Sequence, residues 1–266
     1  MVIGIVGLGL IGGSLAKTIK KNTGHTVFGT DINESEIFAA EMHNAIDGKL
    51  DGENLMKCNL ILLCAYPKAV VDFVTQNAEK FMPGAVVTDC CGVKRKICKK
   101  LIEKSNKNNF VFIGGHPMAG TQFSGFKSSG EKLFKDATMI LTPDKDISIP
   151  MREFARDFFL SLGFKKVHFT TAEEHDEKIA FTSQLPHIIS NAYIKSPTSS
   201  DCTDLAAGSY RDLIRVAKLN APMWAELFLE NGDFLGRELD ILIDNLEKYS
   251  SAIKNKNKKE LIELLK

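Results

Sequence analysis

The sequence predicts an α/β protein with two domains: a Rossmann-type dinucleotide-binding domain, residues 1–170, and an all-α C-terminal domain, residues 171–266. Three observations carry this prediction. A glycine-rich turn directly follows the first apolar run, an aspartate ends the second run, and strand-like and helix-like segments alternate as far as residue 170. Beyond that residue the apolar spacing is helical only, which predicts the second domain.

Composition limits the possible partners. The chain has 34 Lys and Arg against 33 Asp and Glu, so its formal net charge is +1. Without an excess of positive charge, we expect neither nucleic acid nor an anionic membrane as a partner. The longest apolar run, around Leu60 to Ala65, is far shorter than the about 20 residues that cross a bilayer. The chain opens on strand-like sequence and its cysteines lack Cys-x-x-Cys spacing, so we expect a cytoplasmic protein with reduced thiols and assign no metal site.

The first element is a buried strand, Val2 to Val6, followed by Gly-Leu-Gly-Leu-Ile-Gly and a helix that runs to about Lys21. In this motif the first glycine makes the turn, the second admits a pyrophosphate, and the third lets the helix pack on the strand. The phosphates would meet free N–H groups at the helix N-terminus. The cofactor site therefore includes Gly7, Gly9, Leu10, Ile11 and Gly12.

The second strand, His25 to Thr30, ends in Asp31, at the spacing expected for an acid that binds the ribose. Such a carboxylate accepts hydrogen bonds from the 2′-hydroxyl and repels a 2′-phosphate, which favours NAD over NADP. The alternative, a glycine-rich turn followed by a capping aspartate, explains the motif and the spacing less well.

The next strands, Leu60 to Cys64 and Ala85 to Thr88, should end at the same crevice. Pro67 starts a helix after the first of them, so Ala65 and Pro67 are assigned to the cofactor site. The second strand leads into Asp89 and then into a basic stretch that predicts a solvated helix face: Lys94, Arg95, Lys96, Lys99 and Lys100.

A strand from Phe110 to Ile113 precedes Gly-Gly-His-Pro-Met-Ala-Gly, which predicts that His116 lies where the strand opens into a loop. The glycines of this loop would let the backbone approach a ligand closely. The rest of the domain is predicted as a strand at Ala137 to Thr142, a helix at Pro150 to Leu162 and a strand at Lys165 to Phe169. Thr171 and Glu174 then form a capping box that starts the helical half.

Two histidine and arginine motifs stand out in the helical half. Pro186 should bend its helix, which could direct His187 into an inter-domain cleft, although a core histidine beside a tolerated kink is equally compatible with the pattern. Ser209 resembles a helix start, and it would place Arg211 and Arg215 one turn apart on one face. Two guanidinium groups so placed suit a small molecule with carboxylates, and surface arginines with acidic neighbours are the alternative.

The last helices carry apolar stripes typical of a core or a subunit contact. Pro222 should sit in the first turn of the earlier helix. The stripe residues are Met223, Trp224, Leu227, Phe228, Leu235, Leu239, Leu242, Ile243 and Leu246.

Taken in order, four motifs make the chain resemble the prephenate dehydrogenase family, in its monofunctional form, over nearly its whole length. They are Gly7 to Ser14, Gly114 to Gly120, Leu185-Pro186-His187 and Tyr210 to Arg215. The resemblance implies NAD-dependent oxidative decarboxylation of prephenate to 4-hydroxyphenylpyruvate in tyrosine synthesis. It also implies a homodimer formed through the C-terminal helices.

Residue roles follow from the same resemblance. His116 falls on the catalytic histidine that takes the proton of the 4-hydroxyl, and His187 on a second histidine of the cleft. Arg215 matches the arginine that binds a substrate carboxylate, with Arg211 as a basic neighbour. Thr121, Gln122 and Gly92 fall on positions near the substrate.

Two departures from the family pattern leave alternatives open. Gly92 stands where the family often has a serine that assists the histidine, and Gln122 where it often has an acid. An uncharged Gln122 offers no partner to the ammonium of arogenate, which favours prephenate. An arogenate dehydrogenase, a β-hydroxy-acid dehydrogenase and a non-catalytic dinucleotide sensor are the competing hypotheses.

Overall fold

The computed structural model describes residues 1–200 and 205–266. The chain divides into two compact units, which we call the N-terminal unit, Met1–His175, and the C-terminal unit, Asp176–Lys266. Within the described residues, no helix is long and apolar enough to cross a membrane.

The N-terminal unit is built on one eight-stranded sheet with the order β3-β2-β1-β4-β5-β6-β7-β8. All neighbouring strands are parallel except β6 and β7, which are antiparallel. This order, with its reversal beside β1, is that of a dinucleotide-binding sheet and confirms the predicted fold class. The strands are β1 (Val2–Val6), β2 (Thr26–Thr30), β3 (Gly48–Lys49), β4 (Leu60–Leu63), β5 (Val86–Asp89), β6 (Val111–Pro117), β7 (Thr138–Pro143) and β8 (Lys166–Phe169).

Six helices accompany this sheet. Apolar side chains of the strands and helices form one continuous core, to which β1 contributes Ile3 and Ile5 and the first helix contributes Leu15 and Ile19. The two-residue strand β3 has no apolar run of its own and was not predicted. The helices are α1 (Leu10–Asn22), α2 (Glu34–Met42), α3 (Gly52–Leu55), α4 (Pro67–Asn77), α5 (Arg95–Asn108) and α6 (Ile149–Ser161).

Strand β6 is longer than its apolar run predicts. His116 pairs with Ile140 and Pro117 with Met139 of the antiparallel strand β7. His116 lies at the carboxyl end of the strand as expected, but the strand continues past Ile113 and opens into the loop only after Pro117. The β6–β7 ladder holds the backbone of His116. A local sequence pattern does not reveal this pairing, because the partner strand lies far downstream in the chain.

The C-terminal unit is helical throughout its described part. The junction between the units falls inside the first of its helices, whose start is capped as predicted: Thr171 Oγ1 accepts a hydrogen bond from the Glu174 N–H at 3.1 Å. The helices are α7 (Ala172–Ile179), α8 (Leu185–Tyr193), α9 (Gly208–Ile214), α10 (Ala221–Glu230), α11 (Gly232–Lys254) and α12 (Lys258–Leu264).

Pro186 follows a π-helical segment, Ala180–Gln184, which joins α7 to α8. A proline inside a helix lacks an N–H and crowds the preceding turn, and a wider π turn relieves both. The buried side chain of Gln184 donates to the Leu227 carbonyl at 3.2 Å and accepts from Asn231 at 2.8 Å. The segment is thus tied to α10 and to the start of α11.

One expectation about these helices is corrected, at the start of α9. Helix α9 begins at Gly208 after Ala207, with no side-chain cap, so Ser209 is not its N-cap. The apolar stripe of α11 divides: Leu235, Leu239 and Leu242 belong to the core of the unit, whereas Ile243 and Leu246 are 44% and 56% exposed. The exposed pair lies three residues apart, on one face of the helix.

Candidate active site

In the glycine-rich turn after β1, neighbouring backbone atoms leave no room for a side chain at two positions. Gly7 has φ +89°, and a methyl group built on it would lie 2.4 Å from the Cys64 carbonyl oxygen. A methyl group on Gly12 would lie 1.8 Å from the carbonyl oxygen of Gly7. Both positions therefore require glycine, one for the left-handed turn and one for the close approach of α1 to β1.

The outer side of the same turn is open. A methyl group on Gly9 would meet no atom within 4 Å, and helix α1 begins at Leu10 and Ile11 without a side-chain cap. The Asp31 carboxylate lies beside the turn, where its Oδ2 accepts the Leu8 N–H at 2.7 Å. Free N–H groups at a helix N-terminus suit a pyrophosphate, and a neighbouring carboxylate suits a ribose diol. These residues fit a dinucleotide.

The strands beside β1 end at the same edge of the sheet. Val6 of β1 is in register with Leu63 of β4, which is in register with Asp89 of β5. Just beyond β4, the carbonyl of Ala65 accepts a hydrogen bond from the Cys91 thiol at 3.4 Å, and Pro67 opens α4. Ala65 and Pro67 therefore lie next to the glycine turn, and their contact with a cofactor stays a prediction.

A buried ion pair fixes the end of β5 to β6. Asp89 and Lys94 are fully buried and joined through Oδ2 and Nζ. Oδ1 of Asp89 accepts the Gly115 N–H at 3.1 Å, and Nζ of Lys94 donates to the Gly115 carbonyl at 2.6 Å. Burial alone would lower the pKa of Lys94, but the Asp89 carboxylate raises it above its ordinary value. Lys94 is thus a charged interior residue and not part of a solvated face, contrary to the sequence prediction.

The glycines before His116 serve the packing of β6. A methyl group on Gly114 would lie 2.3 Å from Thr142 Oγ1, and one on Gly115 would lie 2.5 Å from the Asp89 carbonyl oxygen. From the sequence, these glycines are expected to admit a ligand. They instead let β6 lie close to β5 and β7, whereas Gly120 faces open space.

His116 contacts a second histidine that the sequence analysis missed. Its Nδ1 lies 2.9 Å from Nε2 of His175, and the two rings have centroids 5.1 Å apart and planes inclined at 66°. His175 is 2% exposed, whereas His116 is partly exposed. The capping box at Thr171 located this helix in the sequence, but no local pattern pairs residue 175 with residue 116.

The electrostatic surroundings keep His116 neutral. Burial, followed by the neighbouring His175 and the ammonium of Lys94, holds the pKa of His116 well below its ordinary value. Among the described residues, Nε2 of His116 has no hydrogen-bond partner. An uncharged imidazole with one free nitrogen can accept a proton from a bound hydroxyl.

The remaining residues predicted near the substrate lie in the N-terminal unit. Thr121 and Gln122 are exposed in the segment after β6, where the Thr121 hydroxyl accepts the Phe123 N–H at 3.2 Å. Gly92 follows Cys91, whose N–H is held by Asp89 at 2.9 Å. Their roles toward a substrate stay predictions.

In the C-terminal unit, His187 has a defined tautomer. Its Nδ1 lies 2.7 Å from the Ser183 carbonyl, which can only accept, so Nδ1 carries the hydrogen. Its ring packs on Trp224 with centroids 4.1 Å apart. Burial lowers the pKa of His187, the Ser183 carbonyl opposes that shift, and the charge of Arg215 adds to it.

The two predicted arginines lie at the end of α9. Arg211 is in its last turn and Arg215 is its C-cap, and both are exposed. Within the described residues, neither guanidinium forms an ion pair. Hydrogen bonds from Ser190 to the Leu213 carbonyl and from Asn191 to the Ala217 carbonyl attach this segment to α8, which carries His187. The unit therefore brings His187 and Arg215 close together.

Three features define a nucleotide-binding oxidoreductase: the dinucleotide-binding sheet, the glycine turn after β1, and a neutral histidine at the carboxyl edge of the sheet. Comparison with known families makes this specific. Residues 15–167 match the family model "Prephenate dehydrogenase, nucleotide-binding domain", and residues 171–266 match "Prephenate dehydrogenase, dimerization domain". The chain belongs to the prephenate dehydrogenase family.

Individual relatives differ in the substrate that they are named for. The chain is 30% identical to a cyclohexadienyl dehydrogenase of Zymomonas mobilis over 99% of its own length and 92% of the relative's. It resembles a solved arogenate dehydrogenase of Synechocystis with 29% identity and a TM-score of 0.81, covering 100% of this chain and 96% of that one. It resembles the A. aeolicus prephenate dehydrogenase, solved with hydroxyphenyl propionate and NAD+, with 26% identity and a TM-score of 0.86, covering 100% and 94%.

The buried ion pair gives a prediction for stability. Lys94→Met should lower the free energy of unfolding by about 3–5 kcal/mol, because it leaves the Asp89 carboxylate buried without its partner. Urea denaturation measures the change. The matched control is Lys99→Met on the exposed side of α5, which should shift stability by no more than about 0.5 kcal/mol. Equal stability of the two variants would show that Lys94 is not paired in the interior.

Proposed function

We propose that the protein catalyses the NAD-dependent oxidative decarboxylation of prephenate to 4-hydroxyphenylpyruvate, a step of tyrosine synthesis. The observation that carries this proposal is His116, a neutral histidine with a free Nε2 in the family's Gly-Gly-His-Pro motif, on the sheet edge that also holds the glycine turn. The A. aeolicus relative, whose structure contains hydroxyphenyl propionate and NAD+, supports both the ligand class and the cofactor.

Asp31 supports NAD over NADP. Its carboxylate stands beside the glycine turn and would bind the 2′-hydroxyl of the adenosine ribose, whereas a 2′-phosphate at that position would meet a like charge. NAD, when bound, supplies the acceptor for the hydride that leaves the ring carbon bearing the 4-hydroxyl. The residues of the chain supply binding, orientation and proton transfer.

The chemistry assigned to the chain is one reversible proton transfer and the binding of two carboxylates. His116 Nε2 takes the hydroxyl proton as the hydride leaves, which gives a ketone at that carbon. The ring carboxylate then departs as carbon dioxide, and its bonding electrons complete the aromatic ring. His116 returns the proton to the phenolate oxygen, so no net proton is consumed.

The C-terminal unit is assigned the binding of a substrate carboxylate. Arg215 and Arg211 are exposed cations without an ion-pair partner among the described residues, and a guanidinium can hold a carboxylate with two parallel hydrogen bonds. His187 has its hydrogen on Nδ1, where the Ser183 carbonyl accepts it, and its ring lies near Arg215 in this unit. We assign Arg215 the principal carboxylate contact and Arg211 a supporting positive charge.

Arogenate is the second candidate substrate, because the Synechocystis relative is named for it. Arogenate carries an ammonium where prephenate carries a ketone, so its recognition favours a nearby carboxylate. Gln122 is uncharged and exposed in the segment after β6. This residue favours prephenate.

The substrate assignment predicts a direct outcome. Purified protein with NAD and prephenate should produce reduced nicotinamide, followed by its absorbance, with kcat/KM at least about tenfold above that for arogenate. NADP in place of NAD should lower the rate. Turnover of arogenate alone would reverse the substrate assignment. Binding of NADH without turnover of either compound would instead indicate a dinucleotide sensor.

The assigned roles predict different kinetic effects for two variants. His116→Asn should lower kcat by about 10²–10⁴-fold, because it removes the proton acceptor, and should leave NAD affinity unchanged. Arg215→Ala should mainly raise the KM for prephenate, because it removes a contact made before and during reaction. Isothermal titration with NAD and steady-state kinetics separate the effects. Loss of NAD binding in both variants would contradict both roles.

We also propose that the protein is a homodimer. The dimerization-domain match covers residues 171–266, and α11 exposes Ile243 and Leu246 on one face. Isolated apolar side chains are common on surfaces, but an apolar face on a long helix of a dimerization domain fits a second copy of the same helix.

The dimer proposal predicts the mass in solution. In sedimentation velocity the protein should have twice the 29.4 kDa mass of one chain. Ile243→Glu combined with Leu246→Glu should shift it toward the mass of one chain, because the charges would be buried at the contact. Met56→Glu changes an exposed methionine of the N-terminal unit and serves as the control. A double variant that keeps the full mass would place the contact elsewhere.

A further inference from the structure

The pairing of His116 with His175 carries an inference about how the catalytic base is prepared. A hydrogen bond between two neutral imidazoles needs one ring to donate and the other to accept. The contact joins Nδ1 of His116 to Nε2 of His175 at 2.9 Å, so the hydrogen between them belongs to one of these two nitrogens.

Only one of the two arrangements leaves His116 able to act. If His175 donated, His116 would carry its own hydrogen on Nε2 and would have no free nitrogen toward a bound hydroxyl. If His116 donates from Nδ1, the lone pair of its Nε2 is available. The reaction proposed above needs the second arrangement.

We propose that His175 is a positioning residue, which accepts the Nδ1 hydrogen of His116 and thereby keeps Nε2 of His116 unprotonated and oriented for the hydroxyl proton. The catalytic meaning of this role rests on the proposed function. The selection of one tautomer by a buried acceptor does not depend on that function, because it concerns only His116 and His175.

Several features of the N-terminal unit support this role. His175 is 2% exposed near the start of α7, which the Thr171 cap anchors, so its ring has a fixed place. The backbone of His116 is held in the β6–β7 ladder.

His175 also offers a place for positive charge during the reaction. When Nε2 of His116 takes the hydroxyl proton, its Nδ1 proton can move onto Nε2 of His175, and it moves back when the phenolate is protonated. Lys94, which is paired with Asp89, is a charged group near His116.

The tautomer is measurable without any turnover. In two-dimensional ¹H–¹⁵N spectra of the ring nitrogens, the protein has six histidines to resolve, and His116→Asn identifies the signals of residue 116. We expect the hydrogen of His116 on Nδ1, and a shift toward Nε2 in His175→Leu. A parent protein with the hydrogen on Nε2, or a His175→Leu variant that keeps it on Nδ1, would overturn the proposal.

Kinetics supply the second readout. His175→Leu should lower kcat by about 10–100-fold with the KM for prephenate and the Kd for NAD within about twofold, because only the protonation state of the base changes. His175→Gln places an amide oxygen near the former Nε2 and should stay within about threefold of the parent. His168→Leu, on the exposed side of β8, is the matched control.

The outcomes separate this proposal from the proposed function. If the parent turns over neither prephenate nor arogenate, the function is wrong, and the ring spectra still decide the role of His175. If the parent is active and His175→Leu matches His168→Leu, the role of His175 is wrong and the function stands. Thermal unfolding checks that each variant is folded. If His175→Leu is not folded, the tautomer of the parent and the activity of His175→Gln decide.

Discussion

The ion pair between Asp89 and Lys94 is the constraint on which the proposed catalytic edge depends. Two fully buried charges are costly unless each is paired and its remaining hydrogen-bonding capacity is used. Here the carboxylate also holds the N–H groups of Cys91 and Gly115, and the ammonium holds the Gly115 carbonyl. The residue before His116 is therefore fixed at both its N–H and its C=O. The pair sets the path of the backbone from which the histidine projects.

The parts that sequence predicted well are those whose chemistry is local. The glycine turn and the acid at the end of β2 lie within one βαβ unit, and steric need or charge dictates each residue there. Lys94 was misassigned because it opens a run of basic residues, and only the folded position of Asp89 distinguishes it from its neighbours. His175 was missed for the same reason, since the distance of its partner in sequence hides the contact.

The π-helical segment between α7 and α8 could not be predicted from the sequence pattern, although Pro186, which accounts for it, is visible there. Pro186 predicted a disturbed helix, and the structure absorbs it as the π segment Ala180–Gln184. Successive residues of an α-helix turn by about 100°, so one additional residue in a turn rotates everything after it by that angle. The face on which His187 meets Trp224 is set by this segment. The sequence indicated a bend but not the rotation.

One carboxylate serves two purposes at the nucleotide end of the sheet. Asp31 is the group assigned to the ribose, and it also accepts the N–H of Leu8 inside the glycine turn. Redesigning position 31 to admit a phosphorylated ribose would also remove an anchor of the loop that cradles the pyrophosphate. Cofactor selectivity and loop rigidity are therefore linked in this chain, and a replacement that keeps an acceptor oxygen would disturb the loop less than an apolar or basic one.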